Sequence, residues 1–317
     1  MSIKKNEPKV SVVVTVFNEE KTIDFLLKSL KNQTYLPAEV VIVDGGSDDA
    51  TFKKLKGWQK KWQRLKLYYQ EGNRAVGRNL AIKKARYHLI AITDAGCLPE
   101  KHWLKALVNK QIETKADVVA GYYRGLAKTS LEEAIIPYVL VMPDKVDPKS
   151  FLPATRSMLL TKEAWKKVAG FDESLDSSED YDFAVRLKQA GLKMTFSQEA
   201  VVNWYPRTSL IDFATMIAEF AFWDAKAGHL RKKVKFLFAR YVFFFFLISM
   251  LIESCWWGWG AMFGVVMITY IAWSILKNKR YVKRGWRWLP ALQFMSDFMV
   301  MGGSILGLID RGTKREW

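Results

Sequence analysis

The chain is short of the residues that most often announce disulfides, metal centres and imidazole chemistry. Its 317 residues include two cysteines and three histidines. Cys97 and Cys255 lie far apart, and neither sits in a metal-ligand spacing. That argues against a disulfide framework or a thiolate metal site and leaves free thiols of a reducing compartment as the expectation. His88, His102 and His229 are scattered, and none is assigned a catalytic role. Acidic side chains are outnumbered, 32 against 49 basic ones, for a formal net charge of +17. Such an excess points to anionic partners: nucleic acid, phosphorylated substrates or anionic lipid headgroups. No cleavable leader is expected at the start, because MSIKKNEPK is polar and VSVVVTVF is too short and too β-branched.

What the chain does have, up to about residue 230, is the alternation of an α/β unit. Val10–Phe17 is a continuous apolar, β-branched run, the pattern of a buried strand. Glu19–Asn32 follows with helical spacing of Ile23, Leu26, Leu27 and Leu30. Val40–Val43 is a second strand running into the turn DGGSDD, a helix covers Thr51–Trp62, and a short strand falls near Leu65–Tyr69. Asn79–Ala85 is helical, and Leu89–Thr93 is another buried strand. Strands alternating with helices predict parallel βαβ units, whose ligands bind beyond the carboxyl ends of the strands. Phe17, Asp44 and Asp94 all stand at or just past such ends.

Beyond residue 230 the composition turns apolar. FLFARYVFFFFLISMLI (236–252) and WWGWGAMFGVVMITYIAWSIL (256–276) are long runs separated by a few residues, and the second is long enough to span ~30 Å of hydrocarbon. A third run between Trp288 and Ile309 is interrupted by Asp297 and by glycines, and either spans or lies in the interface. Basic clusters, RKKVK at 231–235 and KNKRYVKR at 277–284, bracket the first two runs. They predict a hairpin with both clusters, and the amino-terminal unit, on the cytosolic side. Headgroup attraction then accounts for much of the positive excess, so nucleic acid is not an expected partner. Between the halves, TSLIDFATMIAEFAFWDAKAG (208–228) reads as an amphipathic helix with Ser209 as N-cap, Asp212 at N3 and Gly228 as its stop. Leu210, Phe213, Ile217, Phe220 and Trp223 share roughly one face, which either lies against the bilayer or packs onto the soluble unit. The expected organisation is thus 1–207, a linker at 208–235 and a membrane domain at 236–317.

Four segments together carry a family resemblance. VSVVVTVFNEEKTIDFLLKSLKNQTYLPAEVVIVDGGSDDAT, AVGRNLAIKKA, TDAG and SSEDYDFAVRLKQAG resemble, in order and spacing, glycosyltransferase family 2 over roughly residues 9–230. The resemblance implies inverting enzymes with the GT-A fold, a Rossmann-like nucleotide-sugar-binding α/β architecture, here followed by transmembrane helices. It implies a nucleotide-sugar donor, UDP- or GDP-linked, and a lipid-linked or cell-surface glycan acceptor. It places Thr15, Phe17 and Glu19 at a base-binding lip, Asp44 on the base or ribose, and Arg78 on the nucleotide side of the cleft. The residues alone leave plainer readings open: an Asp-Gly turn at Asp44, a packed Phe17, a helix-dipole acid at Glu19 and a solvated Arg78.

Asp94 matches the first acid of the family's Asp-x-Asp pattern, but Gly96 falls where the second acid, commonly the metal ligand, would be. Mg²⁺ and Mn²⁺ take hard oxygen ligands and often keep waters and substrate phosphates, so one carboxylate can suffice. Either Asp94 holds such an ion with the diphosphate, or it binds the ribose and the leaving-group charge falls to basic residues. A capping aspartate before Pro99 is the structural alternative. In SSEDYDF the resemblance makes Asp180 the general base, with Glu179 and Asp182 supporting; acids in a first helical turn are otherwise ordinary dipole partners. RSMLLTKEAWKKVAGFDESL (156–175) resembles the acceptor side, and Arg207 in NWYPRTSL is a candidate for the diphosphate. The Gln-x-x-Arg-Trp pattern of processive synthases is absent, which favours single addition. Two rivals remain: transfer to polyprenyl phosphate itself, and a non-catalytic membrane scaffold.

Overall fold

The computed structural model describes residues 7–254 and 257–313, so Cys255, Trp256 and the last residues of the basic tail lie outside it. The elements run β1 (Val10–Val16), α1 (Ile23–Lys31), β2 (Glu39–Asp44), α2 (Thr51–Lys61), β3 (Leu65–Tyr69), α3 (Arg74–Lys84), β4 (Leu89–Ile92), β5 (Cys97–Pro99), α4 (Trp103–Thr114) and β6 (Val118–Gly125). They continue α5 (Ser130–Val139), β7 (Met158–Thr161), α6 (Lys162–Lys167), α7 (Glu179–Gln189), β8 (Met194–Trp204), α8 (Leu210–Lys226), α9 (Lys232–Ser254), α10 (Trp257–Leu276) and α11 (Leu289–Thr313). Two compact units result: one from the residues up to Leu126 with Pro143–Tyr205, the other from Ala127–Met142 with the residues from Pro206 onward. Helix α5 therefore falls with the carboxyl-terminal unit although it lies within the first 207 residues.

The first unit is one sheet in the order β3-β2-β1-β4-β7-β6-β8-β5. The first four strands pair parallel, with Val13 level with Ile92 and Val16 level with Asp44. The parallel pairing of the βαβ start ends at β7, which runs antiparallel to both β4 and β6. Its direction carries Thr155, Arg156 and Ser157, just before β7, to the end of the sheet where β4 finishes. Ile92 and Met158 are register partners. The core between sheet and helices is aliphatic and aromatic: Val13, Val41, Ile90, Ile92, Leu160, Phe183 and Leu187 are all fully buried. Phe171 and Phe183 stack at 4.1 Å, which fixes α7 against this core.

Helix α3 begins at Arg74, five residues before the helix that the apolar spacing predicts. Asn73 caps it, accepting from the Val76 backbone N–H at 3.1 Å. Gly77 conceals the helix from a propensity reading, yet the site demands a glycine: a Cβ there would stand 2.6 Å from Thr15 Cγ2. The close approach of α3 to β1 sets where the next residue, Arg78, can reach.

In the second unit, three helical segments are long and apolar enough to cross a membrane: Lys233–Glu253, Gly258–Tyr281 and Trp286–Gly312. Ser209 caps α8 by accepting from Asp212 N–H at 3.0 Å, and Gly228 follows its end with φ +85°. The buried face of α8 is a correction to the sequence reading. It comprises Phe213, Met216, Ile217, Ala221, Asp224 and Ala225, while Phe220 and Trp223 are only half-buried. Within the second unit this face packs against α11. A Cβ on Gly303 would lie 2.4 Å from the Ala218 carbonyl oxygen, and one on Gly307 2.2 Å from that of Phe222. Backbone-to-backbone approach of this kind selects small residues opposite glycines, a pattern known from helix pairs in membranes, and overrides the hydrophobic stripe. Helix α5 opens with a reciprocal capping box between Thr129 and Glu132. Its Glu133 accepts the backbone N–H groups of Lys283 and Arg284 at 2.9 and 3.0 Å, and Tyr138 Oη donates to the Leu289 carbonyl at 2.8 Å.

Candidate active site

Strand ends and one helix start bring the acids of the first unit together. Asp94 follows β4 by two residues, Glu179 and Asp180 open α7, and Arg78 reaches across from the first turns of α3. Arg78 is buried and both terminal nitrogens of its guanidinium pair with acids: one donates to Asp94 Oδ1 at 2.8 Å, the other is ion-paired with Glu179. Where the sequence reading gave Arg78 to the nucleotide side of the cleft, in this structure it bridges the two acidic motifs. Burial works against its charge, yet Asp94 and then Glu179 outweigh that and raise its pKa.

Asp94 also lies 3.4 Å from Thr155 Oγ1 and is partly exposed. Burial alone would raise its pKa; the guanidiniums of Arg78 and Arg156 prevail and hold the carboxyl below the ordinary aspartate range. Asp180 behaves in the opposite way. Burial, and next the adjacent Glu179 charge, push its pKa up against the pull of Arg156 and Arg78. Among the described residues its half-buried carboxylate accepts no hydrogen bond, so both oxygens remain available. The residue before Glu179, Ser178, sits at φ +57°, a left-handed conformation that costs a non-glycine residue about 1 kcal/mol or more. That backbone bend starts α7 at the place where Glu179 meets Arg78.

Asp44, at the end of β2, is fully buried. Its Oδ1 accepts the backbone N–H groups of Gly46 and Ser47 at 3.0 and 2.8 Å, the turn that the DGGSDD stretch implies. Its Oδ2 is buried with no partner, an expensive state for a carboxylate oxygen and one that a ligand donor would relieve. With β1 alone between β2 and β4, at ~4.8 Å per strand, Asp44 and Asp94 stand roughly 10 Å apart on one sheet edge. Phe17 beside them is 59% exposed, an open aromatic face. Thr15 turns its methyl onto Gly77. Glu19 is half-buried, bonded to Thr22, and burial raises its pKa. Arg207 is exposed and belongs to the second unit.

The donor set admits a divalent cation only in a limited way. Among the described residues no group of three or more His, Cys, Asp or Glu side chains could enclose one. Asp94 has one oxygen committed to Arg78 and the other free but for the long Thr155 contact. A Gly96 side chain would have met only Glu19 Oε1, at 3.9 Å, so the space of the second acid is open and bordered by that carboxylate. Asp94 thus fits an ion that draws its remaining ligands from phosphate and water.

One residue that the sequence reading covered only as the start of the acceptor-side segment, without a role of its own, enters here. Arg156 lies just before β7, with its guanidinium 5.5 Å from the ring centroids of both Tyr123 and Trp204, and its charge acts on Asp180 and Asp94. An isolated arginine in an irregular stretch carries no periodic signal. Only the antiparallel direction of β7 brings it to the acids.

With this geometry in hand, similarity to known proteins becomes informative. The family model described as glycosyl transferase family 2 matches residues 11–136. Over 326 aligned residues the chain is 26% identical to a dolichyl N-acetyl-alpha-D-glucosaminyl phosphate 3-beta-D-2,3-diacetamido-2,3-dideoxy-beta-D-glucuronosyltransferase of Methanococcus voltae, covering 95% of this chain and 97% of that one. It is 26% identical to glycosyltransferase AglE of Haloferax volcanii, over 61% of this chain and 66% of that protein, just under two thirds of its length. Among solved structures, the mannosyltransferase PcManGT of Pyrobaculum calidifontis, in complex with GDP-Man and Mn²⁺, superposes with a TM-score of 0.70 at 16% identity, over 97% of this chain and 89% of that one. TarS of S. aureus in complex with UDP-GlcNAc gives 0.52 at 19%, over 96% and 92%. At those identities the structures bear on the fold.

Proposed function

The chain belongs to glycosyltransferase family 2, a GT-A-like α/β unit followed by three helices that could span a membrane, and from that premise we propose that it moves one sugar from a UDP- or GDP-linked donor to a lipid-linked or cell-surface glycan acceptor at the cytosolic membrane face. The observation that carries this reading is the Arg78 bridge, which joins Asp94 of the donor side to Glu179 beside the Asp180 base. Asp44 takes the nucleoside through its orphaned oxygen, and Phe17 offers a stacking surface. Asp180, its affinity for protons raised, removes the proton of the acceptor hydroxyl as that oxygen attacks the anomeric carbon. The sugar–oxygen bond to the diphosphate breaks with its electron pair on the departing phosphate oxygen, so the anomeric configuration inverts. A divalent cation, when bound at Asp94, would supply electrostatic stabilisation of the charge on that phosphate. The acceptor class is supported by the Methanococcus voltae relative, whose name specifies a dolichyl-phosphate-linked sugar. The basic clusters flanking the apolar helices support a cytosolic site.

Membranes containing the full chain, given a panel of labelled UDP- and GDP-sugars, should move label from one of them into an extractable lipid or glycan, with inverted configuration in the product. Transfer to unglycosylated polyprenyl phosphate, insensitive to loss of Asp180, would replace this reading with the phosphate-acceptor one. No transfer from any donor would leave the scaffold.

A further inference from the structure

We propose that Arg156 is the residue that grips the diphosphate of the donor, doing with a guanidinium fork much of what a second acid and its cation would do at position 96. This rests on the nucleotide-sugar reading and adds a residue to it. Three observations meet at Arg156. Its backbone is fixed, because its carbonyl accepts from Thr93 Oγ1 at 3.0 Å, and the neighbouring Ser157 is held by Trp103 Nε1 at 2.8 Å and by the Ala200 carbonyl at 2.9 Å. Its guanidinium is held between Tyr123 of β6 and Trp204 of β8, so little side-chain freedom is left to lose on binding. Its N–H donors are unspent: among the described residues the guanidinium makes no hydrogen bond, and none of its nitrogens is buried.

The contrast with Arg78 sharpens the assignment. Both arginines act on Asp94 and Asp180, but Arg78 has handed both arms to carboxylates and its charge is cancelled locally. A diphosphate entering between Asp94 and Asp180 meets two negative groups, and at Arg156 a stacked, half-buried cation whose five donors are oriented and free. Arg74, exposed on the first turn of α3, also acts on Asp94 and Glu19, but as a solvated side chain without the aromatic clamp. Gly96 removes one of the acids that would otherwise add to the repulsion.

The test is calorimetric titration of the full chain in detergent with UDP and GDP, and with UMP and GMP, each with Mn²⁺ and with chelator. Arg156→Ala should weaken binding of the preferred nucleoside diphosphate by about 10- to 100-fold, the loss of one or two charge-assisted hydrogen bonds, and leave the monophosphate within about 2-fold. Removal of Mn²⁺ should cost the variant more than the wild type. Arg156→Lys keeps the charge and stem, guards against a folding artefact, and should recover only part of the loss because a point charge lacks the fork. Arg74→Ala should shift diphosphate affinity by less than Arg156→Ala. Unchanged diphosphate affinity in Arg156→Ala, or equal loss for mono- and diphosphate in a folded variant, would overturn the assignment while the donor reading stood. A wild type that binds none of the four nucleotides would remove the donor reading and this inference with it.

Discussion

Each of the two units pairs an aspartate with an arginine, and they differ in what is left over. In the second unit Asp297 of α11 is closed: Oδ2 accepts from Arg240 at 2.6 Å, from Tyr241 Oη at 3.2 Å and from Tyr270 Oη, and Oδ1 accepts from Gln293 at 2.9 Å. Those donors come from α9, α10 and α11, so one carboxylate ties three apolar helices at one level. In the first unit Arg78 ties Asp94 to Glu179, but one Asp94 oxygen stays open, and the neighbouring Asp180 and Arg156 keep lone pairs and N–H donors unspent. A satisfied network specifies structure; an unsatisfied remainder beside it is where a substrate can be recognised. The same residue types thus serve architecture in one place and, on the proposed reading, chemistry in the other.

The comparison breaks most visibly at Asp180. Asp180→Asn should lower the turnover number by about 10²- to 10⁴-fold, the usual worth of a general base, with donor affinity within a few-fold of wild type. Loss of donor binding in step with turnover would mean that Asp180 is closed as Asp297 is. In the second unit, Arg240→Met should destabilise the chain in detergent by about 3–5 kcal/mol, because it strands Asp297 in apolar surroundings. Arg240→Met with Asp297→Leu should recover most of that, read as melting temperature. A double variant no more stable than the single one would show that the node does more than tie helices. Gly307→Val should cost about 1–3 kcal/mol by forcing α8 away from α11, and Gly302→Val, which meets nothing, far less.

The smallest effect is the sign of a pH dependence. The raised folded-state pKa of Asp180 means that the fold favours its protonated form. The stability tied to that preference is whole below the unfolded pKa and is lost as pH rises through the folded one. Asp180→Asn, which cannot ionise, should therefore melt above wild type at pH 7, with the gap closing as pH falls; a lower melting point at pH 7 would contradict the assigned shift. Activity should show its acid limb at a higher pH than an ordinary aspartate would give, since the base works only when ionised.

The sequence exposed what strand ends and motif spacing determine: Asp44, Asp94 and Asp180, the βαβ start of the sheet and the apolar helices. It hid what depends on direction and close approach. The antiparallel β7 that delivers Arg156 has no local signature, and the start of α3 is masked by the glycine that lets it touch Thr15. The buried face of α8 follows Ala221 and Ala225 opposite Gly303 and Gly307, far along the chain, rather than its bulkiest side chains. Asp297 was conspicuous in its apolar run, but nothing along the chain names Arg240 and Tyr270 as its partners.

The central claim, a nucleotide sugar seated on the edge where β2 and β4 end, is tested most directly at the orphaned oxygen of Asp44. Asp44→Asn keeps an acceptor for the Gly46 and Ser47 N–H groups and turns Oδ2 into a donor. Titration of the full chain with UDP- and GDP-sugars should give one-to-one binding of one of them, weakened at least about 10-fold in Asp44→Asn. Equal binding by the two proteins, or no binding by either, would contradict the account.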